Sequence, residues 1–198
     1  MLIGKRVKLR AVEEEDIHRI VEWRNSPRTY EFFYEYEPLS RTKQKEWLER
    51  HSSDPSEKLF IISTLDGEAI GMVGFVHIDH RNRKAEWGRF LIGEEKYFGG
   101  GYGAEVELLI LEYAFEHLNL NKLYCEVLIN NPSVISLHKK FGFKEEGIFR
   151  QHIFKAGKYV DVVVLSLLRE EYYSEQTRLQ SLKKKFIGEY KEHQQPEP

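Results

Sequence analysis

The chain has 198 residues, 41% of them hydrophobic and 13% aromatic, enough to bury one enzyme-sized core without covalent staples. A formal charge of −2 argues against a nucleic-acid surface. The single cysteine, Cys125, has no partner for an internal disulfide and sits in an apolar run, which marks a buried structural thiol rather than a nucleophile. No apolar run approaches the roughly 20 residues of a membrane span, and Met1-Leu2-Ile3-Gly4-Lys5-Arg6 carries no long apolar signal region, so a cytoplasmic location is expected.

In chain order, residues 5–12 alternate as a strand, and Glu14-Glu15-Asp16 opens a helix in which Ile17, Ile20, Val21 and Trp23 recur near the 3.6 period. A loop over 26–38 follows. From Thr29 to Glu37 it interleaves five aromatics with three acids, a composition that receives a cationic amine, stacks on a sugar or base, or serves only as a lid over a core edge. A helix over 40–51 is predicted with Trp47 and Leu48 inward. Residues 58–65, 70–80 and 84–92 read as an antiparallel meander joined by Asp66-Gly67 and Arg81-Asn82 turns.

The segment Tyr97-Phe98-Gly99-Gly100-Gly101-Tyr102-Gly103-Ala104 then crowds four glycines in front of an apolar helix. Glycine permits a tight turn and close approach, and the first helical turn offers unpaired N–H groups at a positive dipole end, so the segment predicts an anion cradle. The plain alternative is a helix that merely starts after a glycine turn. Gly99-x-Gly101-x-x-Ala104 also fits a relaxed dinucleotide fingerprint, but the turn follows several strands and no acid stands about 20 residues on, in Leu118-Asn119-Leu120-Asn121, so that reading loses.

Beyond the helix through 117, a strand over 122–129 leads to a short helix with both ends marked: Asn131 as N-cap, Pro132 first, Gly142 as its left-handed end. Strands over 144–154 and 159–168 complete a mixed sheet flanked by helices. Residues 170–192 read as one further helix with Leu179, Leu182, Phe186 and Tyr190 on one stripe, docked on the domain's own body or on a second subunit. Residues 194–198 fray.

On these two landmarks, Phe98-Gly99-Gly100-Gly101-Tyr102-Gly103 and Asn131-Pro132-Ser133-Val134-Ile135-Ser136-Leu137-His138 through Phe143, the chain resembles the GNAT superfamily of N-acetyltransferases over residues 1–169, with 170–198 as a helical extension. In the late motif His138 stands where that superfamily carries tyrosine, and Val134 where it carries serine. The resemblance implies an α/β fold with a mixed, mostly antiparallel sheet. It implies acetyl-CoA held by backbone at Phe98, Gly99, Gly100, Gly101, Tyr102, Gly103 and Ala104, a contact from Asn131, and an oxyanion met by main-chain N–H near Leu91. Glu86 matches the superfamily's base, and His138 is the candidate donor to the departing thiolate, since imidazole titrates near about 6.5. An exposed strand glutamate, a surface histidine and a simple cap remain the alternatives for Glu86, His138 and Asn131.

Acceptor contacts are expected from Tyr30, Phe33, Tyr34, Glu35 and Arg150. No metal is assigned. The closing run Gly142-Phe143-Lys144-Glu145-Glu146-Gly147 and Gly157-Lys158-Tyr159-Val160-Asp161-Val162 resembles ribosomal-protein alanine and spermidine acetyltransferases and those of UDP-linked 4-amino sugars on the pseudaminic acid route. A nucleotide-linked 4-amino sugar is the first acceptor expectation, with direct attack in a ternary complex. A polyamine or protein N-terminus is the alternative, and a CoA-binding module without catalysis the alternative of another class. A homodimer is a further expectation.

Overall fold

The computed structural model describes residues 1–35, 37–51 and 53–186. Its apolar runs become eight strands of one sheet: β1 (Leu2–Ile3), β2 (Val7–Ala11), β3 (Lys58–Thr64), β4 (Ala69–Asp79), β5 (Lys84–Ile92), β6 (Lys122–Leu128), β7 (Lys144–Lys155) and β8 (Lys158–Leu168). They lie in the order β1-β2-β3-β4-β5-β6-β8-β7. Every neighbouring pair is antiparallel except β5 and β6, whose helical link returns the chain to the same end of the sheet.

The crossover helix α4 (Tyr102–Glu112) is buried from Ala104 to Leu111, as its composition requires. It carries Val106, Leu108, Leu109 and Ile110 into the main core with Phe75, Trp87, Leu123 and Leu165. The opposite sheet face is covered by α1 (Ile17–Asn25) and α3 (Arg41–His51), where Ile20, Trp23, Ile61, Met72 and Leu91 form a second cluster. Neighbours such as Ile61 and Ile62, or Met72 and Val73, therefore serve different cores, as strand alternation demands.

Three expectations change. The loop at 26–38 contains a one-turn helix, α2 (Pro27–Tyr30), started by Ser26 as N-cap and Pro27 at its first position. In α3 Trp47 packs half-buried against the second cluster, as expected, and stacks on His51 at 4.4 Å, but the fully buried residue is Gln44. The tail helix is broken at Glu175 into α6 (Arg169–Ser174) and α7 (Gln176–Phe186). Leu179 is buried, Leu182 and Phe186 pack on the main core, and Lys183 meets Glu112 of α4 at 2.6 Å, so the stripe docks on the chain's own body. Tyr36, Tyr190 and the rest of 187–198 lie outside the described residues. Among those described, no helix is long and apolar enough to cross a membrane. Cys125 is 1% exposed, and burial pushes its thiol well above the usual range, as expected of a structural cysteine.

Candidate active site

The parallel register between β5 and β6 runs through Lys84–Lys122 and Ala85–Leu123 and ends at Glu86–Tyr124. Past that point β5 follows β4 and β6 follows β8, and the two strands diverge. The divergence is helped by a bulge: between the pairs Met72–Leu91 and Gly74–Gly88, Val73 alone faces Arg89 and Phe90. Arg89 takes up the extra residue with φ of 53°, and such a bulge bends its strand away. A cavity of about 380 Å³ fills the wedge, walled by Trp87 to Phe90 of β5, Cys125 to Leu128 of β6, Val134 and His138 of α5 (Pro132–Lys140), and Phe32 to Glu35 as a lid.

The glycine turn adjoins that wedge. Gly99 and Gly101 hold φ of 74° and 80°, and Gly101 is the N-cap of α4 without any side-chain cap. The first N–H groups of the helix are thus left to a ligand. A Cβ on Gly103 would lie 3.4 Å from the Phe90 ring and 3.8 Å from Leu137, which places the turn against the cavity wall. Arg6 braces it from behind, donating to the Gly100 carbonyl at 2.5 Å. The same guanidinium pairs with Glu105 at 2.9 Å, and that fully buried carboxylate also accepts from the backbone N–H of Arg6 and Val7. The charge beneath the cradle is therefore neutralised, and uncapped donors with little side-chain cover fit a diphosphate. Phe98 stands beside it under the Arg28 guanidinium, 4.2 Å away.

Glu86 turns into the cavity instead of toward open solvent, its side chain 17% exposed and Oε2 3.0 Å from His77 Nδ1. Burial pushes its carboxyl up, the charge of Glu126 adds to that, and His77 opposes it. Two residues beyond the last parallel pair, Glu126 adds a second acid to the wall and accepts from the Tyr34 hydroxyl at 3.0 Å. Burial, then Glu126, pushes the Tyr34 phenol up. Glu35 meets Arg24 at 2.9 Å, and that guanidinium lies 4.3 Å over the Phe33 ring.

His138 is not a surface histidine. It is 2% exposed, 4.3 Å from the Trp87 ring in edge contact, with Nδ1 2.9 Å from Glu107 Oε1 of α4. Asn131 caps α5, accepting from the Val134 N–H at 3.4 Å, and lines the cavity as well. Leu91 sends its side chain into the second core, so only its backbone is on offer after the bulge.

Two expected acceptor contacts lie elsewhere. Tyr30 does not line the cavity: Lys155 of β7 donates to the carbonyls of Tyr30 and Phe33 and lies 4.7 Å from the Tyr30 ring, so this end of the lid is tied to the far hairpin. Arg150 lines a separate hollow with Phe149, Gln151 and His152. The β7–β8 register shifts between Phe149 and Ile153, and Gln151 N–H bonds to Asp161 there, which turns Arg150 off the site. Sequence reasoning missed Glu126, His77 and Glu107. Of these, Glu107 left a trace, a carboxylate inside the apolar run Val106 to Leu111.

Residues 6–144 match the acetyltransferase (GNAT) domain family. The chain is 31% identical over 169 residues to the spermidine N(1)-acetyltransferase of Escherichia coli strain K12, covering 85% of this chain and 89% of that protein. It is 26% identical over 181 residues to a putative ribosomal N-acetyltransferase of Bacillus subtilis, covering 87% and 97%. Among solved structures, spermidine N-acetyltransferase from Vibrio cholerae in complex with CoA and spermine aligns with a TM-score of 0.79 at 30% identity, over 84% of this chain and 98% of that one.

Proposed function

The chain belongs to the acetyltransferase (GNAT) domain family and is an acetyl-CoA-dependent N-acetyltransferase, and from that premise we propose that its acceptor is a polyamine. The observation that carries this is the acidity of the wall: Glu86 and Glu126 line the cavity with Glu35, which Arg24 pairs, and face one lining guanidinium, Arg89, while Arg150 lies off it. A polycation gains from such a wall, and a sugar diphosphate is repelled by it. The first expectation, a nucleotide-linked 4-amino sugar, therefore yields to the polyamine alternative, in line with relatives named for spermidine.

Acetyl-CoA supplies an acyl carbon activated as a thioester. The cradle at residues 98–104 binds its diphosphate, Asn131 adds a contact, and the diverging edges of β5 and β6 receive the extended arm as an added strand would be received. Backbone N–H at the bulge near Leu91 meets the oxyanion. Glu86, its carboxyl pushed up by burial, takes the proton that the neutral acceptor amine sheds as its nitrogen bonds to the acyl carbon, and a carboxylate of raised pKa is the stronger base. His138 donates to the leaving sulfur. Attack is direct, in a ternary complex.

Thiol release with acetyl-CoA and a panel of spermidine, an N-terminal alanyl peptide and a nucleotide 4-amino sugar tests the acceptor. Spermidine is expected to give the highest kcat/KM. A higher value for the sugar or the peptide refutes the polyamine assignment.

A further inference from the structure

Glu107 is an acid in the middle of an apolar helix, with no exposure and no contact with solvent. Its Oε1 meets His138 Nδ1 at 2.9 Å, and its Oε2 has no hydrogen-bond partner among the described residues. Burying a carboxylate this way is costly, and a buried polar group retained with one unsatisfied oxygen calls for a role beyond packing. Complete burial pushes the carboxyl up, and His138 opposes the shift.

The ring it meets is held from three sides. Trp87 contacts it edge-on at 4.3 Å, Phe143 lies at 5.1 Å, and Glu107 takes Nδ1. That leaves Nε2 as the ring nitrogen for the cavity, which His138 lines. Of the other ionisable groups there, His77 is on β4, Glu86 and Arg89 on β5, Cys125 and Glu126 on β6, and Tyr34 and Glu35 on the lid. None of these seven makes a hydrogen bond to His138 among the described residues. We propose that Glu107 is a positioning residue for the acetyl transfer: its carboxylate fixes the proton of His138 on Nδ1, holds the ring in place and supports the imidazolium that delivers the Nε2 proton to sulfur. The pair thus replaces the single hydroxyl that a tyrosine would bring to this position.

This rests on the assignment of His138 as donor. In that step His138 Nε2 gives its proton to the sulfur that keeps the electron pair of the broken C–S bond. Glu86 takes the proton shed by the acceptor nitrogen as it bonds to the acyl carbon. Glu107 stays ionised throughout, as the carboxylate of a Ser–His–Asp triad does.

The test uses the full chain with ¹⁵N-labelled histidine and no ligand. In the wild type, the neutral His138 ring is expected to carry its proton on Nδ1, read from the ¹⁵N shifts, and Glu107→Gln is expected to change that tautomer. Glu107→Gln should lower kcat tenfold or more, with the loss growing as pH rises and with CoA affinity unchanged, while adding Glu107→Gln to His138→Tyr should cost nothing further. A wild-type ring with its proton on Nε2 overturns the proposal without any variant, which keeps it testable if Glu107→Gln fails to fold. Loss of activity in Glu107→Gln with an unchanged tautomer also overturns it, as does full activity in Glu107→Gln when His138→Ala is inactive. Wild-type turnover by His138→Ala removes the donor assignment itself.

Discussion

Gly101→Val separates the cradle from any other location for the cofactor. Gly101 sits at φ 80° and ψ 5° at the start of α4, a left-handed conformation that costs an L-residue about 1–2 kcal/mol. In a chain of this length each kcal/mol lowers Tm by about 2–4 °C, so the variant stays folded at room temperature. The new Cβ stands 3.4 Å from Arg6 Nη2 and from the Phe186 ring, so its methyls press on the brace behind the turn and shift the backbone N–H groups on its other side. Losing one charge-assisted hydrogen bond there, about 1.5–3 kcal/mol, weakens CoA binding roughly 10–150-fold. Gly157→Val is the control, since its φ of 78° imposes a like strain on a turn with nothing within 4 Å of the added Cβ. Titration calorimetry with CoA and thermal unfolding on both variants give the two readouts. A folded Gly101→Val protein with wild-type CoA affinity refutes the cradle.

His138→Ala should lower kcat with little change in acetyl-CoA affinity, and His138→Tyr should retain activity; steady-state kinetics with calorimetry checks both. Glu86 must be ionised to accept a proton and its folded pKa is raised, so kcat/KM should fall as pH drops through that raised value. Glu126→Gln removes the like charge and should move this acid limb to lower pH; a limb that stays put in the pH–rate profile assigns the base elsewhere. Glu126→Gln should also raise KM for spermidine by roughly tenfold, the value of one charge-assisted contact, with the effect shrinking at high salt. For the lid, Tyr34→Ala and Glu35→Gln should raise KM for spermidine while leaving CoA affinity alone, and no change in either variant would take the lid out of the acceptor site.

Local signals carried the sequence a long way. Asn131, Pro132 and Gly142 mark the ends of α5 within one residue because capping is decided by neighbours. The glycine turn before α4 was legible for the same reason. What escaped depends on partners distant in sequence. His138 is buried because Glu107, 31 residues earlier, claims its ring. Glu126 joins Glu86 on one wall because the parallel register pairs Glu86 with Tyr124, which periodicity in either strand does not contain. Arg150 leaves the site through a bulge in β7, and the break at Glu175 has neither glycine nor proline to announce it. The one-turn α2 did carry its signals, Ser26 and Pro27, but four residues are too few to show a period.

The order of strands also dictates how the chain folds as it is made. β1 to β5 pair with sequence neighbours, and only the β2-to-β3 link, which carries α1 to α3, is long, so this half can form while later residues are still being synthesised. The other half cannot. β8 lies between β6 and β7, so β6 must wait with one edge open until residue 168 has emerged, and Leu179 of α7 arrives later still to close the core. The wall bearing Glu126 is thus among the last surfaces to be fixed. A nascent chain stalled before β8 would expose β6 as an unpaired, apolar edge, the kind of segment that chaperones bind and that aggregates when they do not.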